Sequence, residues 1–162
     1  MNSSICSIYI LVWIAGIVSC AERDKRPTIA EFEVLQIDSA TKFNTRDIPG
    51  GKPVALVYFS PDCDHCQSET ADWIRNMDSL KNVNFYFITH DPLERLRVFR
   101  EYYKTDNYPN FHLGWDYQYS FLKLYKPTAT PYFVLYDKKK KLKVVHGGEV
   151  SASMLLSFLK DI

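Results

Sequence analysis

Apolar residues run unbroken through Val54-Ala-Leu-Val-Tyr-Phe59 and nearly so through Val83-Asn-Phe-Tyr-Phe-Ile-Thr89. Runs of this kind predict strands buried on both faces, as in the centre of an α/β sheet, because a half-exposed strand would alternate apolar and polar. Between them Cys66, Thr70, Trp73, Ile74, Met77 and Leu80 recur at helical spacing, which predicts one helix with an inward face. Ser60-Pro-Asp62 breaks the first run, and Asp62 is the expected cap of that helix, which begins near Cys63. After the second run, Asp91-Pro92 is the expected N-cap and first turn of a helix with Leu93, Leu96, Phe99 and Tyr103 on one stripe.

The flanks follow the same logic. A first strand is expected around Phe32–Ile37, then a polar stretch over Asp38–Asp47 and a turn at Pro49-Gly-Gly51. Phe111–Gly114 reads as a short strand and Tyr119–Tyr125 as a short helix. Tyr132–Tyr136 and Leu142–Val145 flank the turn Asp137–Lys141 and predict an antiparallel hairpin. Ser151 caps a last helix with Met154, Leu155, Phe158 and Leu159 inward. Parallel crossovers combined with a terminal hairpin give a mixed sheet with helices on both faces.

The start of the chain is different in kind. Residues 1–21 hold no Lys, Arg, Asp or Glu, and Ile8–Val18 is an apolar run of 11. That is short for a spanning helix, which needs about 20 apolar residues, so an export signal is the better reading. Ile17-Val-Ser-Cys20 resembles a bacterial lipobox, with lipid carried on Cys20; simple secretion after Ala21 and an uncleaved anchor are the alternatives. All three place the domain outside the cytoplasm. With lipid on Cys20, Ala21 in the next position resembles an outer-membrane sorting signal of Gram-negative bacteria.

Composition narrows the function. Of 162 residues, 46% are hydrophobic and 24% charged, which suits one globular domain. The formal charge of +1 gives no sign of nucleic acid as a partner. The four cysteines are Cys6 and Cys20 in the leader and the Cys63-Asp-His-Cys66 motif. A thiol at a helix start meets free N–H groups and the positive dipole end, which favour a thiolate at Cys63. Cys66, one turn deeper, shares its face and can close a disulfide with it. Glu69 lies three residues further on; it is either a solvated acid or the group that exchanges a proton with Cys66. His65 can pair with the Cys63 thiolate and make the couple more oxidising, whereas Asp64 opposes this by repulsion.

Other uses of the pair fit less well. A structural zinc site needs four ligands, and no second Cys pair exists, while His90, His112 and His146 are scattered. A purely structural disulfide would close too small a loop to stabilise much. Thr130-Pro131 is either a plain strand start or a cis peptide bond that presents the Thr130 backbone to the thiols. The tyrosines of 102–136 are better explained by packing than by a substrate groove, and Lys138–Lys141 by a solvated turn.

Together these motifs resemble the thioredoxin fold. The segment Ile48-Pro-Gly-Gly-Lys-Pro-Val-Ala-Leu-Val-Tyr-Phe59 leading into Pro61-Asp-Cys-Asp-His-Cys66 is similar to the extracytoplasmic TlpA/ResA-type thioredoxins. The resemblance implies an active-site glutamate at Glu69, a cis-proline at Pro131 with Thr130 beside the substrate, and a redox-active disulfide Cys63–Cys66 with no other cofactor and no metal. Asp62 and Val57 stand where thioredoxins usually have Trp and a buried Asp, and Ser60 and Leu56 replace the Thr and Pro of the peroxiredoxin pattern. The expected organisation is a lipoprotein-type signal peptide at 1–19, a tether at 20–27 and a thioredoxin-like domain at 28–162. The expected function is a thiol–disulfide oxidoreductase, reductive in direction, in the cell envelope on the periplasmic side. It would be monomeric and lipid-anchored in the outer membrane if the cell is Gram-negative, with cysteine-containing extracytoplasmic proteins as substrates and a membrane thiol reductant as electron source. The alternative is a non-catalytic thioredoxin-fold lipoprotein that binds a partner.

Overall fold

A computed structural model describes residues 25–160 and 162, so the leader and its Cys20 lie outside the described residues. Among the described residues seven strands form one mixed sheet: β1 (Glu33–Leu35), β2 (Lys42–Asn44), β3 (Val54–Tyr58), β4 (Asn84–Thr89), β5 (Phe111–Trp115), β6 (Tyr132–Tyr136) and β7 (Leu142–Gly147). Their order across the sheet is β2-β1-β5-β4-β3-β6-β7. Strands β3, β4 and β5 are parallel, and β6 runs antiparallel to β3. The helices are α1 (Asp64–Arg75), α2 (Met77–Leu80), α3 (Leu93–Tyr103), α4 (Ser120–Tyr125) and α5 (Ala152–Leu159).

The two unbroken apolar runs are the two central strands, and every residue of β3 and β4 is buried. Their alternation sorts them into two cores. Ala55, Val57, Phe85, Phe87, Phe133 and Leu135 meet Trp73, Leu80, Leu96, Phe99 and Leu155 from α1, α2, α3 and α5. Val54, Leu56, Tyr58, Tyr86 and Ile88 meet Phe121 of α4 together with Phe32 and Ile48. Tyr125, Tyr132 and Tyr136 pack with this second core, whereas Tyr102 and Tyr119 are exposed.

Four local expectations are corrected. The polar stretch after β1 contains strand β2, which pairs with β1 and sends Phe43 to stack on Tyr86 at 5.4 Å. An edge strand with one inward residue carries no readable alternation, and its turn is made by Asp38 Oδ1 accepting from Ala40 and Thr41 N–H. The helix after the cysteines is not continuous to Leu80. It stops at Asn76, whose Nδ2 donates to Asp72 O at 2.8 Å and so competes with the backbone ladder. Asp62 does not cap it: Cys63 occupies the N-cap position without a side-chain capping bond to the helix, and Asp62 pairs with Arg95 of α3. Pro92 rather than Asp91 is the N-cap of α3. Ser151 does cap α5, accepting from Met154 N–H at 3.2 Å.

The far side of the sheet depends on a close approach. A Cβ at Gly114 of β5 would lie 2.8 Å from Val34 Cγ2 of β1. Gly114→Ala is therefore expected to destabilise the domain by about 1–3 kcal/mol through overpacking, read as a lower urea midpoint. An unchanged midpoint would mean that β1 is not seated against β5.

Candidate active site

The site forms where β3 ends. Because β6 is antiparallel to β3, its first residues lie beside the last ones of β3, with Tyr58 opposite Tyr132. The residues just outside each strand, Cys63 after β3 and Thr130-Pro131 before β6, are thereby brought together across 67 positions of sequence. The Thr130–Pro131 bond is cis. Cys63 is half-buried, and its Sγ lies 3.7 Å from Thr130 O, to which the thiol donates. Gly148 N–H in turn donates to Pro131 O at 2.8 Å and ties down this corner.

Cys66 sits one turn into α1 and is buried, and both cysteines are free thiols. Burial pushes the Cys66 thiol well up, and its hydrogen bond with Cys63 adds to this. Glu69 follows one turn further in and is wholly buried. Oε2 accepts from Val150 N–H at 2.6 Å, while Oε1 is buried with no hydrogen-bond partner among the described residues. An ionised carboxylate in that setting lacks what it needs from water, so burial pushes the acid up to about 8; the Val150 bond opposes the rise and the negative Glu149 supports it. Glu69 and Cys66 act on each other electrostatically. The solvated reading of Glu69 is thus excluded: this acid is held protonated near neutral pH in contact with the field of the inner thiol.

The structure explains how the acid is buried. The segment from Glu149 to Ala152 lies along one face of α1 and meets it at five positions. His65 Nδ1 is 3.2 Å from Glu149 Oε2, Ser68 Oγ donates to Glu149 Oε1 at 2.9 Å, and Val150 N–H reaches Glu69. Trp73 Nε1 donates to Val150 O at 2.7 Å, and Ala152 N–H to Asp72 Oδ2 at 2.6 Å. Residues 65, 68, 69, 72 and 73 share a face by helical spacing, so the start of α5 reads α1 along two turns.

His65 is correspondingly not where the sequence reading put it. Its ring pairs with Glu149 instead of Cys63 and is 76% exposed. Asp64 is exposed in the first turn of α1. Glu149 and Val150 escaped the sequence reading because nothing in their spacing ties them to the cysteines; the one trace was the polar side of the α1 stripe. Among the described residues no group of three His, Cys, Asp or Glu side chains is placed to hold a metal ion.

The profile of the AhpC/TSA family matches residues 27–145. The chain belongs to the AhpC/TSA family. No curated protein gives a significant match. Among solved structures, the exposed lipoprotein thioredoxin Etrx1 of Streptococcus pneumoniae aligns with a TM-score of 0.62 at 23% identity, over 82% of this chain and 100% of that one. The secreted Mycobacterium tuberculosis disulfide oxidoreductase homologous to E. coli DsbE gives 0.66 at 21% identity, over 81% and 96%. StoA of Bacillus subtilis gives 0.61 at 16% identity, over 82% and 99%. This family member therefore has the thioredoxin-like fold shared by those proteins.

The buried acid has a consequence for stability. An acid whose folded-state value lies above its unfolded value binds its proton more tightly when folded, so stability is full below the ordinary value of 4.5 and is lost as pH rises towards about 8. The loss is on the order of 4 kcal/mol. Urea unfolding from pH 5 to pH 9 is expected to show this decline in the wild type and a much flatter profile in Glu69→Gln. Parallel profiles would mean that Glu69 ionises normally.

Proposed function

We infer that the chain is a thiol–disulfide oxidoreductase that reduces disulfides in extracytoplasmic proteins. The observation that carries this reading is the buried Glu69, with one oxygen unpartnered, in the field of the buried Cys66 thiol. A structural cysteine pair has no use for a nearby acid poised to change protonation near neutral pH, whereas a resolving thiol does.

In the forward direction the Cys63 thiolate attacks one sulfur of the substrate disulfide. The substrate S–S bond breaks, a mixed disulfide forms, and the first substrate sulfur leaves as a thiolate that takes a proton from solvent. The inner thiol must then lose its proton in a place where burial resists charge. Glu69 in its ionised fraction accepts that proton, and Cys66 Sγ attacks Cys63 Sγ. The second substrate sulfur leaves, and Cys63–Cys66 becomes a disulfide, so that two electrons have passed to the substrate. Thr130 O and the cis bond to Pro131 form the wall against which an extended substrate segment would lie. Re-reduction needs an external dithiol, for which a membrane thiol reductant is the natural class. The lipobox-like Ile17-Val-Ser-Cys20 supports a tethered protein in the cell envelope.

Insulin reduction tests the activity. The wild type is expected to turn over, Cys63→Ser to be inactive, and Cys66→Ser to accumulate a mixed disulfide on Cys63. Glu69→Gln should slow release of that mixed disulfide by about 10²-fold or more, as loss of a general base does, while leaving the first attack nearly unchanged. No turnover and no trapped species would favour a partner-binding module instead.

A further inference from the structure

An imidazole between the two cysteines makes the couple more oxidising only if it supports the Cys63 thiolate, because stabilising that thiolate stabilises the reduced form. Here the ring is directed elsewhere. His65 Nδ1 lies 3.2 Å from Glu149 Oε2, and the other oxygen of Glu149 is fixed by Ser68 Oγ at 2.9 Å. The backbone on the C-terminal side of Glu149 is equally fixed, since Val150 donates to Glu69 and accepts from Trp73. The carboxylate therefore cannot follow the ring; the ring must come to it.

Such a contact acts on the thiols in two ways. It commits the imidazole Nδ1 to Glu149, while the Cys63 thiol meets Thr130 O. It also sets a negative charge against any positive charge on the ring, so that little net field remains at the sulfur. The other charges nearby do not replace the lost one: Asp62 is paired with Arg95, and Asp64 is a further negative group on the same turn.

We propose that Glu149 is a positioning residue for the redox couple, holding His65 off Cys63 and thereby keeping the Cys63–Cys66 pair reducing. The proposal rests on the oxidoreductase reading and names how the potential of that same site is set. It resolves the opposed influences of His65 and Asp64 in favour of a reducing couple, because the oxidising influence of the histidine is switched off from 84 residues away in the chain.

The test is equilibration with dithiothreitol. The Cys63–Cys66 bond breaks, two electrons and two protons pass from the reduced reagent to the two Sγ atoms, and dithiothreitol closes to its cyclic disulfide. Glu149→Gln removes the negative charge and is expected to shift this equilibrium about fivefold towards the protein dithiol, a potential about 20 mV more positive. In a His65→Gln background the same substitution should produce no shift, because the ring that transmits it is gone. No shift in the single variant would overturn the proposal. So would an equal shift in the His65→Gln background, which would route the effect through Val150 and Glu69. A wild-type chain that forms no Cys63–Cys66 disulfide with the oxidised reagent would remove the oxidoreductase reading and this proposal with it.

Discussion

The hydrogen bond from Val150 N–H to Glu69 Oε2 is the interaction on which the site depends. It is one bond where a buried carboxylate would want several, and the other oxygen has none. A lone backbone donor is enough to hold the acid in the core but not enough to keep it ionised there. That imbalance turns an ordinary glutamate into a group that changes protonation near neutral pH. The same bond is one of the five contacts that dock the segment leading into α5 onto α1, so the seating of the cysteine helix and the proton affinity of its acid are linked.

The sheet supplies the rest. Burial of every residue in β3 and β4 fixes a rigid floor, and the end of β3 delivers Cys63 to the start of α1. The antiparallel placement of β6 returns the chain so that Thr130 O faces that sulfur. One thiol is left half-buried and available, and the other is sealed beneath it. Their different burial divides the chemistry: the outer sulfur can meet a substrate, whereas the inner one reacts only once its proton has somewhere to go.

Much of this was legible in the sequence because it follows from local patterns. Six apolar residues at 54–59 announce a buried strand, and the cysteines directly after it announce a thiol at a helix start. The place of Pro131 before a strand allows either a plain strand start or a cis bond; the resemblance to thioredoxins implies the cis bond, and it is present. What escaped is what depends on distant residues. Asp62 looked like a cap until Arg95 of α3 took it, and His65 looked like a partner for Cys63 until Glu149 took it. Lys42–Asn44 reads as a loop because an edge strand of three residues, with only Phe43 packed inward, is too short to show an alternation. Glu69 was found by spacing to Cys66, but its burial could not be, since the segment that covers it lies 80 residues further on. Polar side chains commit to partners by tertiary proximity, and a single sequence reports periodicity far better than proximity.

The most direct measurement is a carbon NMR titration of the Glu69 carboxyl in the reduced protein, labelled at glutamate and assigned by the resonance missing from Glu69→Gln. If a half-satisfied buried carboxylate governs the inner thiol, this resonance titrates close to pH 8, far from the other glutamates. A midpoint near the ordinary value of 4.5 would contradict it, since Glu69 would then already be ionised at neutral pH and its burial would have no part in the chemistry of Cys66.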